Sequence, residues 1–136
     1  MISSVRKFFQ RKPLVVVIRL DGVIGAVSRF GSGGLDDSNT QKLLEKAFEF
    51  EKAKAIAIKI NSPGGSPTQS SLIASRILKL SEEKKIPVLC FCEDVAASGG
   101  YWLACAGEEI YSDINSIIGS IGVISASFGF SELISR

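Results

Sequence analysis

Leu14-Val-Val-Val-Ile-Arg-Leu20 places six aliphatic side chains in seven consecutive positions. A strand with one wet face alternates apolar and polar residues, so an unbroken run predicts a strand covered on both faces. Such strands belong to parallel sheets, whose neighbours are joined by crossover connections, usually helical. Ala55-Ile-Ala-Ile-Lys-Ile60 and Pro87-Val-Leu-Cys-Phe-Cys92 are two further runs of this kind. Between them apolar residues recur at helical spacing. One stripe runs through Leu43, Leu44, Ala47, Phe48 and Ala53, with Asp37 or Ser38 as its cap. The other runs through Leu72, Ile73, Ile77, Leu78 and Leu80, with Ser66 or Thr68 as its cap and a charged turn from Glu82 to Lys85. This alternation predicts βαβ crossovers and a layered α/β domain with a mostly parallel sheet.

The remaining segments are shorter. Val23 to Ser32 has room for a second short strand, followed by a Gly31-Ser-Gly-Gly34 connector. Asp94 to Gly100 reads as a turn, Tyr101 to Ala106 as the start of a buried helix, and Ile110-Tyr111 as a short strand. Ile117 to Ser125 mixes glycine with β-branched residues, and a helical segment begins at Glu132 to Ser135. The organisation expected is a basic stub over residues 1–13 and one domain over 14–136. A chain of 136 residues buries roughly two-thirds of its unfolded surface, enough for a core without disulfides or metal.

Composition excludes several classes of function. The chain has no histidine, which removes a Ser-His-Asp triad, a Cys-His pair and any His-containing metal site from within it. Cys90, Cys92 and Cys105 are odd in number and lie among apolar residues; they read as small buried hydrophobes of a reducing compartment, and no metal site or cofactor is expected. A pI near 8.5 is too mild to point to nucleic acid. No apolar stretch reaches the ~20 residues of a membrane-spanning helix. The stub carries Arg6, Lys7, Arg11 and Lys12 around Phe8 and Phe9 but has no h-region of a secretory signal. It can be a solvated terminus, or it can touch an anionic membrane surface. A cytoplasmic location, peripheral to the inner membrane, follows as the expectation.

Functional loops of parallel α/β sheets lie beyond the carboxyl ends of the strands. Asn61-Ser62-Pro63-Gly64-Gly65-Ser66 is one such loop, and its paired glycines leave backbone N–H groups able to face an oxyanion. Alone, a Pro-Gly-Gly turn is usually only a turn. Ala96-Ala97-Ser98-Gly99-Gly100-Tyr101 is the second, with one hydroxyl among small neighbours where a helix begins. Ser98 is either a nucleophile with Gly99 as an adjacent N–H donor, or a helix cap. A third segment, Gly119-Ser120-Ile121-Gly122-Val123, can line a groove with backbone or be a glycine bend in a strand.

Together these segments resemble the signal peptide peptidase A family, also called protease IV, serine peptidases within the ClpP/crotonase superfamily. The matching residues are Val17 to Ile24, Ile58-Lys-Ile-Asn-Ser-Pro-Gly-Gly-Ser66, Pro87-Val88, Asp94-Val-Ala-Ala-Ser-Gly-Gly-Tyr101 and Gly119-Ser-Ile-Gly-Val-Ile124, in that order. The resemblance implies a ClpP/crotonase-like fold and a nucleophile at Ser98. It implies oxyanion donors at the N–H groups of Gly65 and Gly99. The substrate groove would involve Ser62, Pro63, Gly64, Ser66, Gly100, Gly119, Ser120 and Ile121. It further implies peptide substrates laid along strand edges, a Ser-Lys dyad, and a homo-oligomer in intact relatives.

The dyad's lysine is not evident. In many single-domain relatives it lies well beyond the Gly-Ser-Ile-Gly-Val segment, and in duplicated members it comes from another domain. Of the ten lysines here, none follows Gly122. Lys42, Lys46, Lys52, Lys54, Lys79, Lys84 and Lys85 fall on expected helices or charged turns, and Lys7 and Lys12 in the stub. Lys59, on a strand, stands where arginine also fits the family pattern. A C-terminally truncated or split member is therefore expected. Three functions compete: a serine endopeptidase acting on signal peptides or other small peptides, an incompetent module that binds peptide or assembles with a complete paralogue, and a crotonase-like acyl-CoA enzyme.

Overall fold

The computed structural model of the chain describes residues 13–25 and 34–123. The elements in order are β1 (Leu14–Asp21), α1 (Asp37–Phe48), β2 (Ala53–Ser62), α2 (Pro67–Lys84), β3 (Val88–Ala97), α3 (Gly99–Ala104), β4 (Glu109–Ser112) and β5 (Ile117–Gly119). The sheet runs β1-β2-β3-β4, and β5 joins the edge of β3 beyond β4. Every pairing is parallel, and the fold is α/β, as the alternation of runs and stripes implies.

Alternation along the strands decides where the core sits. Ile18 and Leu20 of β1, Ile56, Ile58 and Ile60 of β2, and Val88, Cys90 and Cys92 of β3 share one face. Leu44 and Phe48 of α1, Ile73 and Ile77 of α2, and Leu103 of α3 pack into the same cluster. Lys59 stands on the other face, where Val15 and Val17 are 45% and 60% exposed. Burial of β1 on both faces is thus not what the described residues show, because β1 is an edge strand and these helices cover one side.

Several boundaries differ from the sequence expectation. Asp36, one residue early, caps α1 through a 2.8 Å bond from the Asn39 N–H. This leaves Asp37 free to pair with Arg76 of α2 at 2.7 Å. The helix stops at Phe48, and Ala53, expected on its stripe, begins β2. Glu82 to Lys84 remain helical, and Lys85 closes α2 in the left-handed region. Asp94 to Ala97 are strand and not turn, because β5 gives Val95, Ala96 and Ala97 a ladder partner. Ile24 bridges Leu35 and Gly65 where a second strand was expected. Residues 1–12 of the stub, residues 26–33 and the expected helix at Glu132 to Ser135 lie outside the described residues.

Candidate active site

β2 and β3 end side by side, so the loops that follow them meet. Their pairing goes from Ile60↔Cys92 to Ser62↔Ala96, two residues on β2 against four on β3. The Asn61 side chain fills this irregularity: the Val95 N–H donates to its Oδ1 at 3.2 Å, and its Nδ2 donates to Asp94 Oδ2 at 3.3 Å. A bulge of this kind re-aims the chain beyond it, and what lies beyond it is Ser98.

Ser98 has φ 52 and ψ −118, a conformation that L residues rarely adopt. Its N–H donates to the Gly119 carbonyl at 2.7 Å, and its carbonyl accepts from the Trp102 N–H at 3.0 Å. It occupies the cap position of α3, yet its side chain makes no capping bond. The backbone is held from both sides, while among the described residues the hydroxyl makes no capping bond.

The Pro-Gly-Gly loop is folded against it. A Cβ on Gly64 would lie 2.7 Å from Gly99 N and 2.8 Å from Ser98 Cβ, so the two loops touch backbone to backbone. Gly65 has φ +148, and a Cβ there would meet the Ile24 carbonyl, which itself accepts from the Ser66 N–H at 2.8 Å. Only glycine fits that conformation and that approach. Among the described residues, neither Gly65 N–H nor Gly99 N–H has an acceptor.

Ser98, Gly65 and Gly99 line one cavity of about 340 Å³. Its other walls are apolar: Pro67, Tyr101, Trp102, Cys105, Ile121 and Val123, with Gly122 backbone. Hydrogen bonding to the Cys105 thiol raises the Tyr101 phenol above its ordinary range. Cys105 is exposed, unlike the expectation for it, because it faces this cavity. Cys90 and Cys92 are buried, and burial pushes the Cys90 thiol up to about 12.

Of the residues expected in the groove, Ile121 lines the cavity. Ser62, at the end of β2, is fully buried and donates to the Gly22 carbonyl at 2.6 Å while accepting from Gly64 N–H at 3.1 Å. Gly64 and Gly100 are buried packing positions, and Pro63 is exposed. Ser66 caps α2 through its hydroxyl, 3.3 Å from the Gln69 N. Gly119 holds Ser98 from behind, and Ser120 is exposed with φ 53. Gly122 and Val123, in the segment expected to line a groove, also line the cavity, whereas Pro67, Trp102 and Cys105 were not singled out as site residues by the sequence. Trp102 and Cys105 follow Ser98 at four and seven residues, the spacing of one helix face, and that periodicity was the available signal.

Lys59 Nζ lies 2.5 Å from Glu93 Oε1, and Glu93 Oε2 lies 2.9 Å from Arg19. The bond to Lys59 holds the Glu93 carboxyl below the usual carboxylate range, with desolvation opposing and the Arg19 charge assisting. Lys42, Lys46, Lys52, Lys54, Lys79, Lys84 and Lys85 are exposed, and Lys54 lies on β2 and not on a helix. Among the described residues no lysine lines the cavity.

The parallel sheet with helices packed on its core face is a ClpP-like α/β fold. A solved structure of an alanine mutant of the 1510-N membrane-bound stomatin-specific protease shares that fold, with TM-score 0.58 and 24% identity over 78% of this chain and 46% of that one. Residues 81–136 match the model of peptidase family S49, and the chain as a whole resembles the signal peptide peptidase A group. It is 37% identical over 123 residues to the chloroplastic serine protease SPPA of Arabidopsis thaliana, covering 88% of this chain and 18% of that protein. It is 34% identical over 113 residues to Protease 4 of Haemophilus influenzae, covering 82% and 18%. A protein named Na(+)/H(+) antiporter NhaA from Brucella melitensis matches at 50% over 131 residues, covering 96% of this chain and 18% of that protein. The chain thus spans about a fifth of these relatives' length. No helix among the described residues is long and apolar enough to cross a membrane.

Proposed function

We propose that this chain supplies the nucleophile and the oxyanion hole of a signal peptide peptidase A-type serine peptidase, hydrolysing signal peptides or other small peptides. The observation that carries the reading is the Ser98 side chain, without a capping bond, beside two N–H groups that have no acceptor among the described residues, all on one cavity. Ser98 Oγ attacks the scissile carbonyl carbon as its proton passes to a deprotonated lysine amine. The carbonyl oxygen, now negative, is met by Gly65 and Gly99 N–H. The C–N bond breaks, the amine leaves with the proton, and water then releases the acyl group from Ser98. Removing one oxyanion donor typically costs ~10²–10³ in kcat. The lysine comes from outside the described residues, as a Ser-Lys dyad completed by further chain or by a neighbouring subunit. A homo-oligomer, an extended peptide along the strand edges, and a cytoplasmic location with the basic stub at the inner membrane belong to the same reading, as does a single domain over 14–136.

A second reading, an incompetent module that binds peptide, is favoured by the absence of any lysine from the cavity walls described here. A fluorophosphonate probe with mass detection separates the two. Labelling at Ser98, abolished in Ser98→Ala, is expected if the hydroxyl is activated. An unlabelled Ser98 in a chain that still binds peptide gives the second reading.

A further inference from the structure

Ser70 is a fully buried serine that the chemistry at Ser98 leaves unused. It stands in the first turn of α2, and its hydroxyl donates to the Ser66 carbonyl at 2.8 Å. That carbonyl already accepts from the Ser70 N–H at 3.0 Å, the ordinary helical bond. The helix therefore does not need the hydroxyl, and alanine, the best helix former, would serve it better. What the second bond does is fix the side chain in one rotamer, and the fixed oxygen rests against Gly99 of the other loop. A Cβ on Gly99 would collide with Ser70 Oγ and lie 3.1 Å from Ile24 Cδ1. Gly99 is not among the glycines held at positive φ. Its backbone would accept a side chain; the space, taken by Ser70 and Ile24, does not.

From this contact we infer that Ser70 is a positioning residue for the oxyanion hole: its Oγ is the stop that sets where Gly99 N–H stands relative to Gly65 N–H. The inference rests on the reading of those two N–H groups as oxyanion donors. The hydroxyl reaches both loops. Its bond to the carbonyl of Ser66, the residue after Gly65, ties it to the first loop, and its contact with Gly99 abuts the second. One oxygen atom thus spans segments that leave the ends of two different strands. Donors must lie ~2.7–3.1 Å from the developing negative oxygen, and a misplacement of about 1 Å can cost ~10²-fold in rate. A stop that fixes the separation of the donors therefore acts on the transition state. Ser70 is not a wall of the Ser98 cavity, so it has no direct hold on a bound peptide. Its removal falls on the chemical step and not on binding. Ser70→Ala takes the stop away without orphaning a partner, because the Ser66 carbonyl keeps the backbone N–H.

The experiment labels the full chain with a peptide-bearing fluorophosphonate over a range of concentrations, separating the maximal labelling rate kinact from the half-saturating concentration KI. The parent is compared with Ser70→Ala and with Ser71→Ala, which makes the same change one residue along at a half-buried position. Ser70→Ala is expected to lower kinact by about tenfold or more, part of the ~10²–10³ that outright loss of a donor costs. KI and far-UV circular dichroism are expected to stay with the parent. The phosphoryl oxygen of the Ser98 adduct occupies the hole, so its phosphorus NMR resonance in Ser70→Ala is expected to move toward that of the urea-denatured adduct. Ser71→Ala is expected to match the parent throughout. With a labelled parent, the inference alone is overturned by an equal kinact, by a loss carried in KI, by an equal loss in Ser71→Ala, or by an unmoved phosphorus resonance. An unlabelled parent overturns the peptidase reading instead, and the Gly99 amide resonance of the free chain then decides whether Ser70 places this N–H. That resonance is expected to shift in Ser70→Ala and hold in Ser71→Ala; one that stays put in both overturns the inference as well.

Discussion

Lys59 and Glu93 face each other 2.5 Å apart across β2 and β3, on the side of the sheet turned away from the helix-packed core. The Lys59 ammonium is engaged by Glu93 and does not line the cavity that holds Ser98. Lys59→Ala is therefore expected to leave the rate of fluorophosphonate labelling at Ser98 within twofold of the parent, at unchanged far-UV circular dichroism. A tenfold fall would place the base within this chain.

The backbone of Ser98 sits in a region open to glycine but costly for side chains, at about 1 kcal/mol or more. Replacing it with glycine removes the hydroxyl and the strain; replacing it with alanine removes only the hydroxyl. Urea midpoints are expected to place Ser98→Gly above Ser98→Ala by about 1 kcal/mol, with both unreactive toward the probe. The reverse order would mean that the turn is not strained as described.

Gly100 packs where a Cβ would lie 2.5 Å from the Ser62 carbonyl oxygen. That oxygen is backbone at the end of a central strand and has little room to retreat. Gly100→Ala is expected to lower stability by about 1–3 kcal/mol, the range of overpacked cores, and to weaken Ser98 labelling because the same turn carries the nucleophile. A neutral urea midpoint would contradict the tight approach.

Asp37 and Arg76 join α1 to α2 through paired bonds of 2.8 and 2.7 Å. Bonding to Arg76 depresses the Asp37 carboxyl below its ordinary 3.8, with burial opposing and the Arg76 charge assisting. Its folded value is the lower one, so its stabilisation is complete above the unfolded value and is lost as pH falls through the folded value. Asp37→Asn is expected to cost about 1 kcal/mol at pH 7, and the gap to the parent should narrow as pH falls below the ordinary carboxyl value and close once it has passed the lowered folded value. A gap that persists in acid would point to packing and not charge.

The sheet was legible from residues 14–20, 55–60 and 87–92 because a parallel strand that packs against helices carries an apolar run, and the run is visible without any partner. The site's ingredients were legible for a similar reason: Gly64, Gly65 and Gly100 are where backbone approaches backbone too closely for a Cβ. What could not be seen were relationships set by distant segments. Asp94 to Ala97 look like a turn until β5 arrives to pair with them. Ser62 looks like a groove residue until Gly22 is found beneath its hydroxyl. Trp102 looked like part of a buried helix and Pro67 drew no reading, since only the meeting of α2 with α3 makes them walls.

The contact between Gly64 and the Ser98–Gly99 turn has one more consequence. Most neighbouring segments in a protein meet through side chains, whose rotamers act as cushions and absorb small shifts on either side. Main chain resting on main chain has no such compliance. A displacement of β2 by a few tenths of an ångström is passed undiminished to the serine, and a rigid seat for the hydroxyl comes with an equally direct exposure to whatever disturbs the sheet.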